Sequence, residues 1–211
     1  KLGASTTIGE YIAPYILGSF KKMYPEVELS LEVSNSEDIE AAIHDTALDI
    51  GLVEGPPIGK DLESLPFLQD QLVLITSKDH PWSNLDSISV FELDKYPFIS
   101  REKGSGTRME MEQHLKKAGF SANNLNVIME LGSNSAIKAA VESGLGVAMI
   151  SRWAVQDSVR AGVLAQVKLK EDEFERTFRI IYHKKKFRTQ ASEEFLRFLK
   201  SDDIQGLLEN N

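Results

Sequence analysis

Apolar positions along this chain recur in two rhythms, every second residue in some stretches and every third or fourth in others, and the two take turns. Lys1–Ala4 reads as a short strand. Ile8, Ile12, Ile16 and Phe20 then fall four apart, which predicts an amphipathic helix that Pro14 must interrupt or kink. Val27, Leu29, Leu31 and Val33 alternate with polar residues and predict a half-buried strand over Val27–Val33. A helix capped by Asn35 or Ser36 follows through Ile39, Ala42 and Ile43, ending near Asp45. Leu48–Val53 and Leu72–Thr76 are short, mostly apolar runs of the kind buried strands show. After the turn-rich stretch Ser77–Asn84 the cycle repeats. Tyr96–Ser100 is a strand, residues 109–118 a helix with Met111 and Leu115 inward and Gly119 as its stop, and Val127–Leu131 a strand. Ser133 opens a helix through Ile137, Ala140 and Val141 that Gly144 closes. Val147–Ile150 and Arg179–Tyr182 are strands, and Ser192–Leu199 is an amphipathic helix.

Strands alternating with helices of this length indicate an α/β fold with largely parallel sheets. The two similar halves predict two Rossmann-like lobes: residues 1–76 with 177–211 as lobe I, and 77–176 as lobe II. Two crossover strands would join them, with a ligand cleft between.

Composition narrows the function. The 211 residues are 42% hydrophobic, enough for a sizeable core, and carry a formal net charge of −8. Phosphate contacts need a basic face, so this segment is not expected to bind nucleic acid by itself. The basic run His183–Arg188 reads as a solvated strand end. With no cysteine, disulfides and thiolate chemistry are excluded. No apolar run approaches a membrane span. The chain starts at Lys1 without a methionine or a leader, which predicts a piece of something longer.

The candidate chemistry lies in two polar turns, each following the first strand of its lobe. Arg101-Glu102-Lys103-Gly104-Ser105-Gly106-Thr107-Arg108 brings backbone N–H groups and two hydroxyls to a helix N-terminus, where the helix dipole favours an anion or carboxylate. Arg101, Lys103 and Arg108 add positive charge, and Ser100 ends the strand before it. Ser5, Thr6 and Thr7 stand at the corresponding place in lobe I. Taken singly, each of these hydroxyls reads more readily as a helix cap than as a ligand contact; it is the pairing of the two turns that favours a cleft. Ser133 and Ser135, opening another lobe II helix, are candidates for the same cleft. Glu54, just after a strand, would repel a bare anion but could hold an amino group; it reads equally as a solvated loop residue.

Taken in order, several segments resemble the effector-binding domain of LysR-type transcriptional regulators. Ile12–Leu29, with its Pro, Phe20 and Tyr24-Pro25-Glu26-Val27-Glu28-Leu29, is similar to the family's first helix and second strand. Asp49-Ile50-Gly51-Leu52-Val53 resembles its third strand. Leu74–Pro81, ending in His80-Pro81, resembles the hinge, and Gly144-Leu145-Gly146-Val147 the glycine-bearing strand of the second lobe. The resemblance covers essentially the whole chain. It implies a periplasmic-binding-protein-like fold of type 2 and an effector held between the lobes near Ser5–Thr7 and Ser105–Thr107. It also implies a homodimer or tetramer, and DNA contact only through an N-terminal winged helix-turn-helix absent from this chain. Among subgroups the chain is most similar to regulators of sulfur or cysteine metabolism, which points to sulfate-like or O-acetylserine-like effectors. A cytoplasmic location follows from that reading, with no cofactor, no metal and no membrane partner.

An enzyme is the first rival. The four histidines are scattered without metal-ligand spacing, no Gly-x-Ser-x-Gly elbow occurs, and Gly104-Ser105-Gly106 has no neighbouring base in sequence, so no catalytic residue is expected. The second rival is a periplasmic solute-binding protein for a small anion or amino acid, which would use the same cleft.

Overall fold

In the computed structural model, residues 1–57, 59–171, 173–201 and 203–209 are described. The elements run β1 (Leu2–Ser5), α1 (Thr6–Tyr11), α2 (Ala13–Met23), β2 (Leu31–Ser34), α3 (Ser36–His44), β3 (Ile50–Glu54), β4 (Leu62–Ser77), β5 (Ser87–Ile88) and β6 (Pro97–Arg101). They continue α4 (Gly106–Lys117), β7 (Asn126–Leu131), α5 (Asn134–Glu142), β8 (Ala148–Ser151), α6 (Arg152–Arg160), β9 (Leu164–Leu169), β10 (Phe174–His183), α7 (Gln190–Leu199) and α8 (Asp203–Glu209). The chain forms two compact units: Lys1–Gln69 with Thr177–Asn211, and Asp70–Arg176. The first passage between them falls at Gln69/Asp70, ahead of the boundary read at residue 76. The reason is pairing: Leu72–Ser77 already bond to β8 and β9, both of the second unit.

In the first unit, β1 lies parallel to both β2 and β3, as strand–helix–strand crossovers require. The expectation of largely parallel sheets then fails at the returning strand, since Phe178–Ile181 of β10 run antiparallel to β3. The Ile8–Phe20 stripe is fully buried, but it belongs to two helices. The break is at Ile12, whose φ of −124° is not helical, and Pro14 sits in the first turn of α2 where its missing N–H costs nothing. Ile39 and Ile43 of α3 pack with Leu48, Val53, Leu62 and Ile181 as one core. Phe20 meets Phe195 of α7 edge-on at 4.8 Å. The strand expected over Val27–Val33 shrinks to β2, and Val33 is exposed rather than inward. Among the described residues β2 pairs only with β1, which places it at the edge of the sheet.

In the second unit, β4 is flanked antiparallel by β8 and β9, β5 adds parallel to β9, and β6 pairs parallel with β7. Val147 locks onto β6 by accepting from Ile99 N–H and donating to Pro97 C=O, both at 2.9 Å. Gly146 permits this approach, because a Cβ there would stand 2.4 Å from the Pro97 oxygen. Met111 and Leu115 of α4 point into a core with Trp82, Phe98, Phe120 and Phe174, as their spacing predicted. Strands β5 and β9, helices α6 and α8, and the full lengths of β4 and β10 lie outside the sequence reading. Among the described residues no helix is long and apolar enough to cross a membrane.

Candidate functional site

Each unit carries a buried polar turn at the position singled out in the sequence. In the first, β1 delivers Ser5, Thr6 and Thr7 to the start of α1, all three buried. Ser5 is the N-cap by position, yet its hydroxyl makes no cap bond. It donates instead to Oε1 of Glu54 at 3.2 Å. Thr6 donates to the Ser34 carbonyl at 3.2 Å. Glu54, for which a solvated loop position was the alternative reading, is only 2% exposed at the end of β3, and its backbone N–H donates to the Ser36 hydroxyl at 3.4 Å. Ser36 is thus a member of this cluster that sequence reasoning used only as a helix cap. The cap of α3 is Asn35, whose side chain accepts from Asp38 N–H.

The second turn is built differently. Gly104, at a φ of 83°, reverses the chain after β6, and Ser105 caps α4 by accepting from Arg108 N–H at 3.5 Å. The helix begins at Gly106, earlier than the 109 expected, so Thr107 lies in its first turn and is 1% exposed. No acidic residue occupies that first turn, whereas His114, Lys116 and Lys117 stand in the last. Both ends therefore suit the helix dipole, and the N-terminus keeps its positive potential.

Two of the three positive charges expected to reinforce it are committed elsewhere. Arg101 is buried, but its Nε and Nη2 donate to the two carboxylate oxygens of Glu102 at 2.8 and 2.9 Å. Its Nη1 reaches Asn134 Oδ1 at 3.5 Å. Arg108 is held by Glu112 and Glu130, which push its pKa above the ordinary value by hydrogen bonding and charge. Lys103 is exposed. Ser100 is buried and donates to the Arg101 carbonyl at 3.1 Å. Ser133 caps α5 through Ala136 N–H, and Ser135 is exposed beside it, so these hydroxyls are not drawn into the buried cluster. Asn134 between them is the fully buried one.

The guanidinium that does reach the turn is Arg176, absent from the sequence reading. It is 4% exposed and donates from Nη1 to Thr107 Oγ1 at 3.0 Å. Its Nε donates to Asp70 Oδ2 at 2.7 Å, and Asp70 Oδ1 accepts from the Ser151 hydroxyl at 2.9 Å. Desolvation pushes the Asp70 carboxyl up, opposed by Arg176 and Ser151, which both favour the carboxylate. A signal was present: Phe174, Arg176 and Phe178 share one strand face, as do Leu68, Asp70 and Leu72. An arginine and an aspartate at inward positions announce a buried pair. A depression in the first unit, lined by Leu17, Phe20, Val27, Leu29 and Phe195 among others, touches none of the predicted site residues.

The LysR substrate binding domain family matches residues 1–203. The chain belongs to that family. It is therefore the effector-sensing domain of a LysR-type transcriptional regulator, with the mixed α/β, two-lobed, periplasmic-binding-protein-like fold of type 2. Over 202 residues it is 35% identical to the uncharacterized HTH-type transcriptional regulator YeiE of Escherichia coli K12, covering 94% of this chain and 66% of YeiE. It is 31% identical to the HTH-type transcriptional regulator CysL of Bacillus subtilis 168, covering 99% of this chain and 69% of CysL. The chain thus spans about two thirds of the length of these relatives. Among solved structures, the regulatory domain of CcmR from Synechocystis PCC6803 in complex with 2-PG superposes with a TM-score of 0.85 at 32% identity, covering 94% of this chain and 93% of that one.

Proposed function

We propose that this LysR-type domain recognises a small anionic or polar metabolite through its two hydroxyl-bearing turns. Ser105, Gly106 and Thr107 present a helix N-terminus to an acidic or polar group. Ser5, Thr7 and Glu54 receive a donor or amino group, with Ser100 and Thr6 supporting the two turns. Arg101 positions Asn134 rather than offering free charge. The observation that carries this reading is the first turn of α4, buried, free of acidic residues and with a guanidinium on its threonine. The complex of the related CcmR domain with 2-PG supports a small-molecule effector. The relation to CysL supports a sulfur-linked effector, sulfate-like or O-acetylserine-like, as the first candidates.

In the whole protein the domain works as a cytoplasmic dimer or tetramer, contacts DNA through a preceding helix-turn-helix segment, and carries out no catalysis of its own. The effector acts by preferring one arrangement of the domain, which changes the spacing of the DNA-binding segments. The test is the thermal midpoint with 2-PG, sulfate or O-acetylserine. At least one probe raises the midpoint of the wild type, and Thr107→Trp abolishes the rise. A rise that survives Thr107→Trp unchanged removes the α4 turn from the site.

A further inference from the structure

Asp70 and Arg176 stand at the two places where the chain passes between its units, the first residue of the second unit and the last. They lie 106 positions apart in sequence, and Oδ2 of Asp70 is 2.7 Å from both Nε and Nη2 of Arg176. From this pair two arms extend. Arg176 reaches Thr107 in the first turn of α4, and Asp70 reaches Ser151, whose hydroxyl also caps α6 through Trp153 N–H at 3.1 Å. Every member is less than 5% exposed. In so dry a place each bond is strong, and a partly broken network is costly, so the arrangement has few neighbours in energy.

The same strand grips α4 a second time. His114, two turns along the helix, has Nε2 2.8 Å from the Glu175 carbonyl and its ring stacked on Phe174 at 4.7 Å. Consecutive residues 174–176 of β10 therefore hold α4 at its first turn and again near its end. A helix pinned at two points along its length follows the strand as one body.

We propose that Arg176 is a positioning residue that ties Thr107 to both passage segments, so that an event at the first turn of α4 is transmitted to residues near Asp70 and Arg176. The input to this device rests on the reading of Ser105–Thr107 as an effector turn; the tie itself does not.

Hydrogen–deuterium exchange on the ligand-free domain tests the tie. Thr107→Val removes the acceptor of Arg176 and is expected to speed exchange by about tenfold in peptides covering 69–72 and 174–178, the scale of one lost hydrogen bond. Peptides over 126–131 stay unchanged. Thr107→Ser, which keeps the hydroxyl, restores the wild-type rates, a rescue that mere packing at this position does not predict. If Thr107→Val speeds exchange only within the first turn of α4, the tie is overturned. Arg176→Lys keeps the charge facing Asp70 but withdraws the fork from Thr107. It should loosen residues 106–109 and 69–72 together, and loosening of either alone also overturns the tie. Tryptophan fluorescence separates loosening from unfolding, since Trp82 and Trp153 both lie in the second unit. Adding 2-PG judges the other half. Slower exchange at both passages in the wild type, lost in Thr107→Val, supports the transmitted signal. Slowing confined to the α4 turn refutes transmission. No slowing anywhere counts against 2-PG as effector, and the ligand-free rates still decide the tie.

Discussion

The two polar turns look alike in sequence and are opposite in electrostatics. Ser5-Thr6-Thr7 and Ser105-Gly106-Thr107 each follow a strand and open a helix, and each is buried. Behind the first stands a carboxylate, Glu54, bonded to Ser5. Behind the second stands a guanidinium, Arg176, bonded to Thr107. The helices differ as well: α1 has 6 residues and α4 has 12, so only α4 has the length to carry a developed dipole. Similar hydroxyl turns thus differ in hydrogen-bonding sense: Ser5 gives its proton to a carboxylate, whereas Thr107 accepts from a guanidinium. What decides the polarity is the charged residue behind the turn, supplied by a strand distant in sequence.

The comparison breaks most visibly at Asp70. Asp70→Ala leaves the Arg176 charge buried without its carboxylate, and the second unit should lose about 3–5 kcal/mol. Urea unfolding followed by tryptophan fluorescence measures this, because both tryptophans report on that unit. Replacing both partners at once, Asp70→Leu with Arg176→Met, should recover most of the loss, since a well-packed apolar pair dispenses with desolvating two ions. A double variant as unstable as Asp70→Ala would mean the shape, not the charge, is what the site requires.

The corresponding cut in the first unit is smaller. Glu54→Ala deprives Ser5 of its acceptor and should cost about 1–3 kcal/mol, read by far-UV circular dichroism through a urea titration. If it costs as much as Asp70→Ala, then Glu54 holds more than the Ser5 bond and the two turns are less different than drawn.

The smallest effect is a pH dependence confined to the second unit. His80 accepts from Trp82 N–H through Nδ1, and its Nε2 is buried without a hydrogen-bond partner. Burial lowers its pKa below the ordinary value of 6.5. A histidine held neutral in the fold takes up its proton more readily when unfolded. Stability is therefore full above the unfolded pKa and declines as pH falls through the folded one. The urea midpoint by tryptophan fluorescence should drop between pH 7.5 and 5.5, and His80→Gln should flatten that drop. A drop of equal size in His80→Gln assigns the slope to another group.

Much of the fold was legible because burial imposes a rhythm. The Met111–Leu115 spacing, the Ile8–Phe20 stripe and the apolar run Leu72–Thr76 all predicted buried faces that the structure has. The rhythm failed where context overrides it. Val33 alternates like an inward residue but sits in an edge strand, and the antiparallel return of β10 depends on a pairing partner that no local pattern names. The candidate site was half legible. Ser105 and Thr107 announce a helix N-terminus. Arg101 and Arg108 announced charge for it, yet local carboxylates at Glu102, Glu112 and Glu130 claim both.

By itself the sequence determined most of the buried strands and helix faces, which family the chain resembles, and where its two polar turns lie. These depend on side-chain chemistry and spacing within a few turns of chain. Only the tertiary structure decided which charge stands behind each turn. Arg176 meets Thr107 across 69 positions and Asp70 across 106, and Glu54 meets Ser5 across 49. Those meetings follow from strand register, which is set by all the pairings of the sheet together and is written in no single stretch of sequence.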